Sequence, residues 1–258
     1  MNKPPPLKKE RMKRGIYVLP NLFTTASLFC GFYSVIASVK GDFSIAATAI
    51  IISIVFDGLD GRIARMTNTM SKFGAEYDSL SDLVAFGVAP AVMIYAWSLF
   101  HYGKWGWLAA FLFVMCGALR LARFNIQIEL IDSRVFNGLP IPAAAAAAAT
   151  GVLLYYYLGG KGKFTDFAVL LSFVCLAFLM VSSIKYYSFK DLNFFSRQPF
   201  VSFFLIVLVL SVVVMEPEIM IFTFSVGYSL SGPVWLLYKA SKKFCLDAKE
   251  KRSVKVNH

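Results

Sequence analysis

FSIAATAIIISIVFDGLDGRIARMTNTMSKFGAEYDSLSDLVAFG, residues 43–87, decides how this chain is read. Its first fourteen residues carry no charge and then run without a break into Asp57 and Asp60. Two more aspartates, Asp78 and Asp82, follow just before the chain turns apolar again. Asp57, Asp60, Gly61, Ala64 and Arg65 sit at offsets 0, 3, 4, 7 and 8, which is one face of a helix. Gly74, Asp78 and Asp82 are spaced by four and again share a face. Two apolar helices whose charged ends meet would bring four carboxylates to one point.

Outward from this stretch the chain stays apolar. Of 258 residues, 58% are hydrophobic and 16% are charged, and the mean hydropathy is +0.64. Soluble domains carry about 25% charged residues, so a water-soluble fold is excluded, and disorder with it. The apolar runs approach the roughly 20 residues that cross a bilayer and do not alternate, which excludes a membrane barrel. The expected class is therefore all-α, a polytopic transmembrane bundle of about eight spans, at 16–39, 43–66, 79–101, 106–127, 139–158, 165–184, 199–215 and 219–238. Turn signals separate them: Lys40-Gly41-Asp42, His101-Tyr102-Gly103-Lys104, the Gly/Lys run 159–163 and Glu216-Pro217-Glu218. The small residues of Ala143–Ala149 favour close helix packing.

A net charge of +11 would suit nucleic acid, but its distribution argues for membrane lipid and against a nucleic-acid partner. Half of the 26 Lys and Arg lie in two tails, six in residues 1–14 and seven in 239–258. With the N-terminus inside, 22 fall on the cytoplasmic side and four outside, a split that places both termini in the cytoplasm and requires an even number of spans. Both ends of the aspartate window then face the cytoplasm. No cleavable signal peptide is expected, because the basic N-terminus is proline-rich and lacks a small-residue cleavage site. The four cysteines are scattered without a CxxC pair, which argues against disulfides and zinc.

Four carboxylates near a membrane repel one another and need partners. Arg62, Arg65 and Lys72 offset only part of that charge. A divalent cation answers it best, and an all-oxygen donor set suits Mg²⁺ or Mn²⁺. Four carboxylates suffice for two ions, the arrangement that clamps the oxygens of a phosphoryl transfer. Histidine chemistry is excluded, since only His101 and His258 exist, one on the opposite side and one at the last position. A cation channel also clusters aspartates, but it would place acidic residues at mid-membrane depth in several spans.

The window resembles the signature of the CDP-alcohol phosphotransferase family. That signature reads D-x-x-D-G-x-x-A-R, eight residues, then G-x-x-x-D-x-x-x-D, and is met at Asp57, Asp60, Gly61, Ala64, Arg65, Gly74, Asp78 and Asp82 without departure. The resemblance implies a six-span catalytic core at 16–184, flanked by a basic tail at 1–15, a loop with two added spans at 185–238, and a second basic tail at 239–258. It implies two divalent ions and exchange of CMP on a CDP-linked lipid for an alcohol at the cytoplasmic face of the cell (inner) membrane, with a homodimer expected. Asp57, Asp60 and Asp78 would be metal ligands. Asp82 would be the catalytic base and would also touch metal. Arg65 would meet the diphosphate, Gly61, Ala64 and Gly74 would pack near cytidine, and Asn21 and Thr24 would line the nucleotide side.

LPNLFTTASLFCGF (19–32), EYDSLSDLVAFGVAPA (76–91), GALRLARFN (117–125), GLPIPAAA (138–145) and the segment 186–190 are similar to the phosphatidylserine synthase branch of that family. This implies CDP-diacylglycerol as donor and L-serine as acceptor. A sister enzyme taking glycerol 3-phosphate or inositol phosphate remains the alternative, as does an ether-lipid donor. A serine carboxylate wants a cation. Arg120 and Arg123, three apart at the cytoplasmic end of the fourth span with Asn125 beyond, can supply one through paired hydrogen bonds. Positive-inside anchoring is the competing reading for both arginines.

Overall fold

A computed structural model describes residues 7–67, 71–127, 135–187 and 215–256. Apolar runs and their punctuation produce the helices in order: α1 Leu7–Lys40, α2 Phe43–Met66, α3 Lys72–Asp82, α4 Ala89–Trp97, α5 Lys104–Gln127, α6 Ile141–Tyr157, α7 Phe167–Val181 and α8 Pro217–Val256. A π-helical turn, Leu83–Val88, joins α3 to α4, so that Lys72–Trp97 runs as one 26-residue apolar span. Among the described residues, five helical stretches are long and apolar enough to cross a membrane: 19–40, 43–66, 72–97, 104–126 and 217–236. Helices α6 and α7 are apolar but shorter, at 17 and 15 residues. The expected span at 199–215 lies, apart from Met215, outside the described residues.

The boundaries follow local chemistry. Gly41, at φ +87°, turns the chain between α1 and α2. Ser71 caps α3 by accepting from Gly74 N at 3.0 Å, and Asp166 caps α7 by accepting from Ala168 N at 2.8 Å. Helix α6 starts with proline in its first turn and ends before Gly159, also left-handed at φ +87°. Three boundaries differ most from expectation, the first being α1, which begins at Leu7 instead of 16. The third span begins at Lys72 instead of 79, because the Ser71 cap starts a helix through the polar residues that carry Asp78 and Asp82. Helix α8 continues through the basic tail to Val256, whose Lys, Ala, Leu and Glu residues are good helix formers.

Helices α1 and α2 pack most extensively, with α6 against α2 and α8, and α5 against α7. In lipid, helix association depends on close approach and internal hydrogen bonds, not on water exclusion. Both devices are present. Ser27 and Ser53 meet at 2.8 Å between α1 and α2, and each also reaches the other's backbone carbonyl. The alanine run of α6 is largely buried: Ala144, Ala145 and Ala149 are wholly so. Phe113 and Phe173 stack at 4.3 Å between α5 and α7.

The helical architecture includes one small departure. Val135–Asn137 and Lys185–Tyr187 form a three-residue antiparallel ribbon, with Phe136 opposite Tyr186. Gly138, at φ +85°, leaves the ribbon, and its N–H bonds Ile184 O at 2.9 Å. The ribbon ties the loop before α6 to the segment after α7 and sets Tyr186 under α8, where its hydroxyl donates to Ser229 O at 3.0 Å.

Candidate active site

The site is built where the last turns of α2 meet α3. Asp57 and Asp60 lie one turn apart on α2, and Asp78 projects from α3 toward them. One carboxylate oxygen from each of these three lies within 4.8 Å of the others. The Asp82 carboxyl, one turn after Asp78, is in side-chain contact with that of Asp57. The two helical faces read from the spacing therefore do converge.

Each carboxylate has a different setting. Asp60 is buried, 5% exposed, and accepts a hydrogen bond from Thr24 Oγ1 of α1 at 2.8 Å. Asp78 Oδ1 is buried and has no hydrogen-bond partner among the described residues. An orphaned buried carboxylate oxygen costs about 1–3 kcal/mol or more if nothing fills its lone pairs. The donor set is all oxygen, anionic and clustered on the scale of a single coordination sphere. These residues thus fit a hard divalent cation.

Beside the carboxylates lies a cavity of about 280 Å³. Asn21, Thr24, Gly61, Ala64, Arg65 and Gly74, the six residues expected on the CDP-lipid side, all line it, with Asp60 and Asp78 at its wall. A Cβ on Gly61 would meet nothing nearer than Arg65 Nη2 at 3.9 Å, so the space is left for something other than protein. Gly74 is tighter: a Cβ there would stand 3.1 Å from Ser71 Oγ and 3.4 Å from Asn21 Oδ1. Arg65 is tethered by its Nε donating to Gly61 O at 2.8 Å, which aims its head along the cavity wall.

Two contacts were not read from the sequence. Thr24 holds the Asp60 carboxylate as well as lining the cavity, and Thr25 Oγ1 meets Tyr77 Oη at 2.9 Å, pinning α3 to α1. Ser71 also joins the cavity wall. A serine followed by a helical run is a capping signal that would have located it.

The three residues expected at the acceptor side diverge. Arg120 of α5 is buried, 9% exposed, and close enough to Asp82 to feel its charge. Its Nε has no hydrogen-bond partner among the described residues. Arg123 is half-buried one turn on. Asn125 is engaged within the protein: its Nδ2 donates to Ser79 Oγ at 3.0 Å, while the Ser79 hydroxyl donates to Ala75 O. Asn125 thus fastens α5 to the helix that carries Asp78 and Asp82.

Comparison with known proteins agrees with this geometry. The sequence profile of the CDP-alcohol phosphatidyltransferase family matches residues 17–229. A CDP-diacylglycerol–serine O-phosphatidyltransferase of Helicobacter pylori is 41% identical over 225 residues, covering 86% of this chain and 92% of that protein. An archaetidylserine synthase of Methanothermobacter thermautotrophicus is 35% identical over 171 residues, 65% of this chain and 69% of its own. A CDP-diacylglycerol–serine O-phosphatidyltransferase of Mycobacterium tuberculosis is 36% identical over 144 residues, about half of each chain. With the eight signature residues gathered on α2 and α3 around one carboxylate cluster, the chain belongs to the CDP-alcohol phosphatidyltransferase family.

Proposed function

We propose that this protein transfers the phosphatidyl group of CDP-diacylglycerol to the hydroxyl of L-serine, giving phosphatidylserine and CMP. The observation that carries the reading is the carboxylate cluster opening onto a cavity edged by Gly61, Ala64 and Arg65. The serine-accepting relative that aligns over most of both chains supports the choice of acceptor.

In this reading Asp57, Asp60 and Asp78 hold Mg²⁺ or Mn²⁺, two ions with Asp82 included. When bound, the metal would neutralise the diphosphate and the charge that develops on departing CMP. The chain's own residues supply the rest. Thr24 keeps Asp60 oriented, and Arg65 meets diphosphate oxygens along the wall it lines. Gly61, Ala64, Gly74 and Asn21 leave room for the nucleotide. Asp82 accepts the serine hydroxyl proton as the oxygen attacks the β-phosphorus. The new P–O bond forms as the bond to CMP breaks, in a single displacement. Arg120 and Arg123 hold the serine carboxylate, and Asn125 keeps their helix in register with α3.

The six-span core at 16–184 holds the metal and nucleotide, and the 22:4 distribution of basic residues favours a cytoplasmic site in the inner membrane with both termini inside. The protein works as a homodimer in this reading. A second donor remains in view because one relative is an archaetidylserine synthase. The cavity recognises the CDP end and leaves the lipid chains unread. A channel is disfavoured because the carboxylates gather at one end of α2 and α3 instead of lining a path.

The test is CMP release by purified protein given CDP-diacylglycerol, Mg²⁺ or Mn²⁺, and a panel of serine, glycerol 3-phosphate and inositol phosphate, with the lipid product identified by mass. Serine alone should support turnover, and the product should be phosphatidylserine. Turnover on a phosphorylated acceptor instead would assign the chain to a sister activity.

A further inference from the structure

We infer that Ser81, with Tyr77 one turn before it, is a positioning residue of the carboxylate site: the two hydroxyls brace α3 against α1 and so hold Asp78 and Asp82 in place relative to Asp60 of α2. The inference rests on the reading of that cluster as a divalent-metal site. It starts from the composition of α3. KFGAEYDSLSD offers little apolar surface for packing, and its Phe73 and Leu80 are 70% and 64% exposed. Hydrogen bonds must therefore do much of the seating. Tyr77 and Ser81 each precede an aspartate, which turns them about 100° around the helix from Asp78 and Asp82. That second face meets α1. Ser81 is 1% exposed, and its hydroxyl donates to Thr24 O at 3.1 Å. Thr25 Oγ1 gives its one proton to Asn21 O at 2.7 Å, which leaves it to accept from the Tyr77 hydroxyl at 2.9 Å. The face continues at Ala85, which lies so close to Gly31 of α1 that a Cβ there would collide.

Helix α1 also holds the other side of the cluster. Thr24, whose carbonyl takes the Ser81 bond, gives its own hydroxyl to Asp60 Oδ2 at 2.8 Å. One residue of α1 thus touches both carboxylate-bearing helices. A single anchor would leave α3 free to swivel about it. Two anchors one turn apart, about 6 Å along the axis, fix both its height and its rotation. The brace matters most before an ion binds. Asp57, Asp60 and Asp78 then place oxygens within 4.8 Å of one another, and their charges repel. Without the brace, α3 would spend part of its time turned or shifted away, and metal affinity would fall by the fraction of molecules so displaced.

The experiment uses the full-length protein in detergent, without substrate. Mn²⁺ binding is followed by the EPR signal of the free ion, and thermal midpoints are measured in EDTA. Ser81→Ala and Tyr77→Phe each remove one hydroxyl. Each should raise the Mn²⁺ Kd about two- to ten-fold, the effect of one lost hydrogen bond. The double variant should raise it by at least the product of the two, since both act on the same seating of α3. Tyr77 is half-buried and its phenyl ring stays, so Tyr77→Phe carries the test even if Ser81→Ala folds poorly. A lower thermal midpoint with an unchanged Mn²⁺ Kd in the variants would make the bonds merely structural and overturn the inference. A double variant that binds Mn²⁺ no more weakly than either single one would overturn it too, because the two anchors would not be acting together. A wild-type protein that binds no Mn²⁺ would instead fail the metal reading itself, before any variant is compared.

Discussion

Thr24 illustrates what single residues contribute at this site. Its hydroxyl is the hydrogen-bond donor to the buried Asp60, so it would act on a bound metal through that proposed ligand. Loss of such an outer partner typically costs about 10- to 100-fold in metal affinity. Thr24→Val should therefore raise the Mg²⁺ concentration needed for half-maximal CMP release by about that factor, and Thr24→Ser should restore it. An unchanged Mg²⁺ requirement in Thr24→Val would mean that Asp60 is not a ligand. Asp82 and Asp57 touch but should behave differently. Asp82→Asn keeps the shape and removes the proposed base, with an expected kcat loss of about 10²–10⁴-fold. Asp57→Asn should weaken metal binding first, so a metal titration of each variant tells the two roles apart. EDTA should abolish turnover in the wild type, with recovery on added Mg²⁺ or Mn²⁺.

At the scale of elements, the π turn Leu83–Val88 has the greatest consequence for the site. It begins at the residue after Asp82, and such turns inside helices recur at functional sites. Helix α1 holds it from behind: a Cβ on Gly31 would come within 2.5 Å of Ala85 Cα and 2.8 Å of its Cβ. Backbone cannot yield there as a flexible side chain would. Gly31→Val should destabilise the protein by about 1–3 kcal/mol or more through overpacking. Catalytic turnover should fall further than stability alone explains, because the displaced turn carries Asp82 with it. Gly227→Ala is the control. A Cβ there meets nothing within 4 Å, and removing a helix glycine should stabilise by about 0.5–1 kcal/mol. Thermal midpoints and CMP release of the two variants, measured side by side, check both outcomes. Neither the π turn nor the ribbon was legible beforehand. Leu83–Val88 reads LVAFGV, apolar like any buried helix, and the strand residues 135–137 and 185–187 are too few to show a period. Helix positions were legible because long apolar runs end at glycine, proline and charge. The carboxylate convergence was legible because spacings of three and four fix a helical face. Asn125 shows the limit of such reading. Its type suits an acceptor, and only the fold reveals Ser79 as its partner.

For the whole molecule, the informative pattern is that every element of the site lies at one end of the bundle. The ends of α2 and α5, the start of α3 and the Thr24 region of α1 meet there, as the Thr24–Asp60 and Ser79–Asn125 bonds require. The opposite end holds a different chemistry. Trp97, Tyr155 and Phe164 pack together, with ring centroids 4.9–5.7 Å apart, near the left-handed glycines 159 and 162. Aromatic clusters of this kind suit a membrane–water interface. Charge separates the two ends in the same sense. Arg62, Arg65, Arg120 and Arg123 lie at the carboxylate end, whereas Lys104, Lys161 and Lys163 lie at the aromatic end. Since cytoplasmic loops retain Lys and Arg, the carboxylate end should face the cytoplasm, where CMP is released and nucleotide-linked lipid is supplied. A reporter fused after His258 should read cytoplasmic, and one inserted at Gly162 should read external. That loop tolerates insertion on physical grounds, because it is exposed and a Cβ at Gly162 meets nothing. The reverse pattern would turn the carboxylates to the outside and remove the cytoplasmic nucleotide from their reach. Two reporters on the same side would mean an even number of spans between Gly162 and His258, where the sequence leads one to expect three.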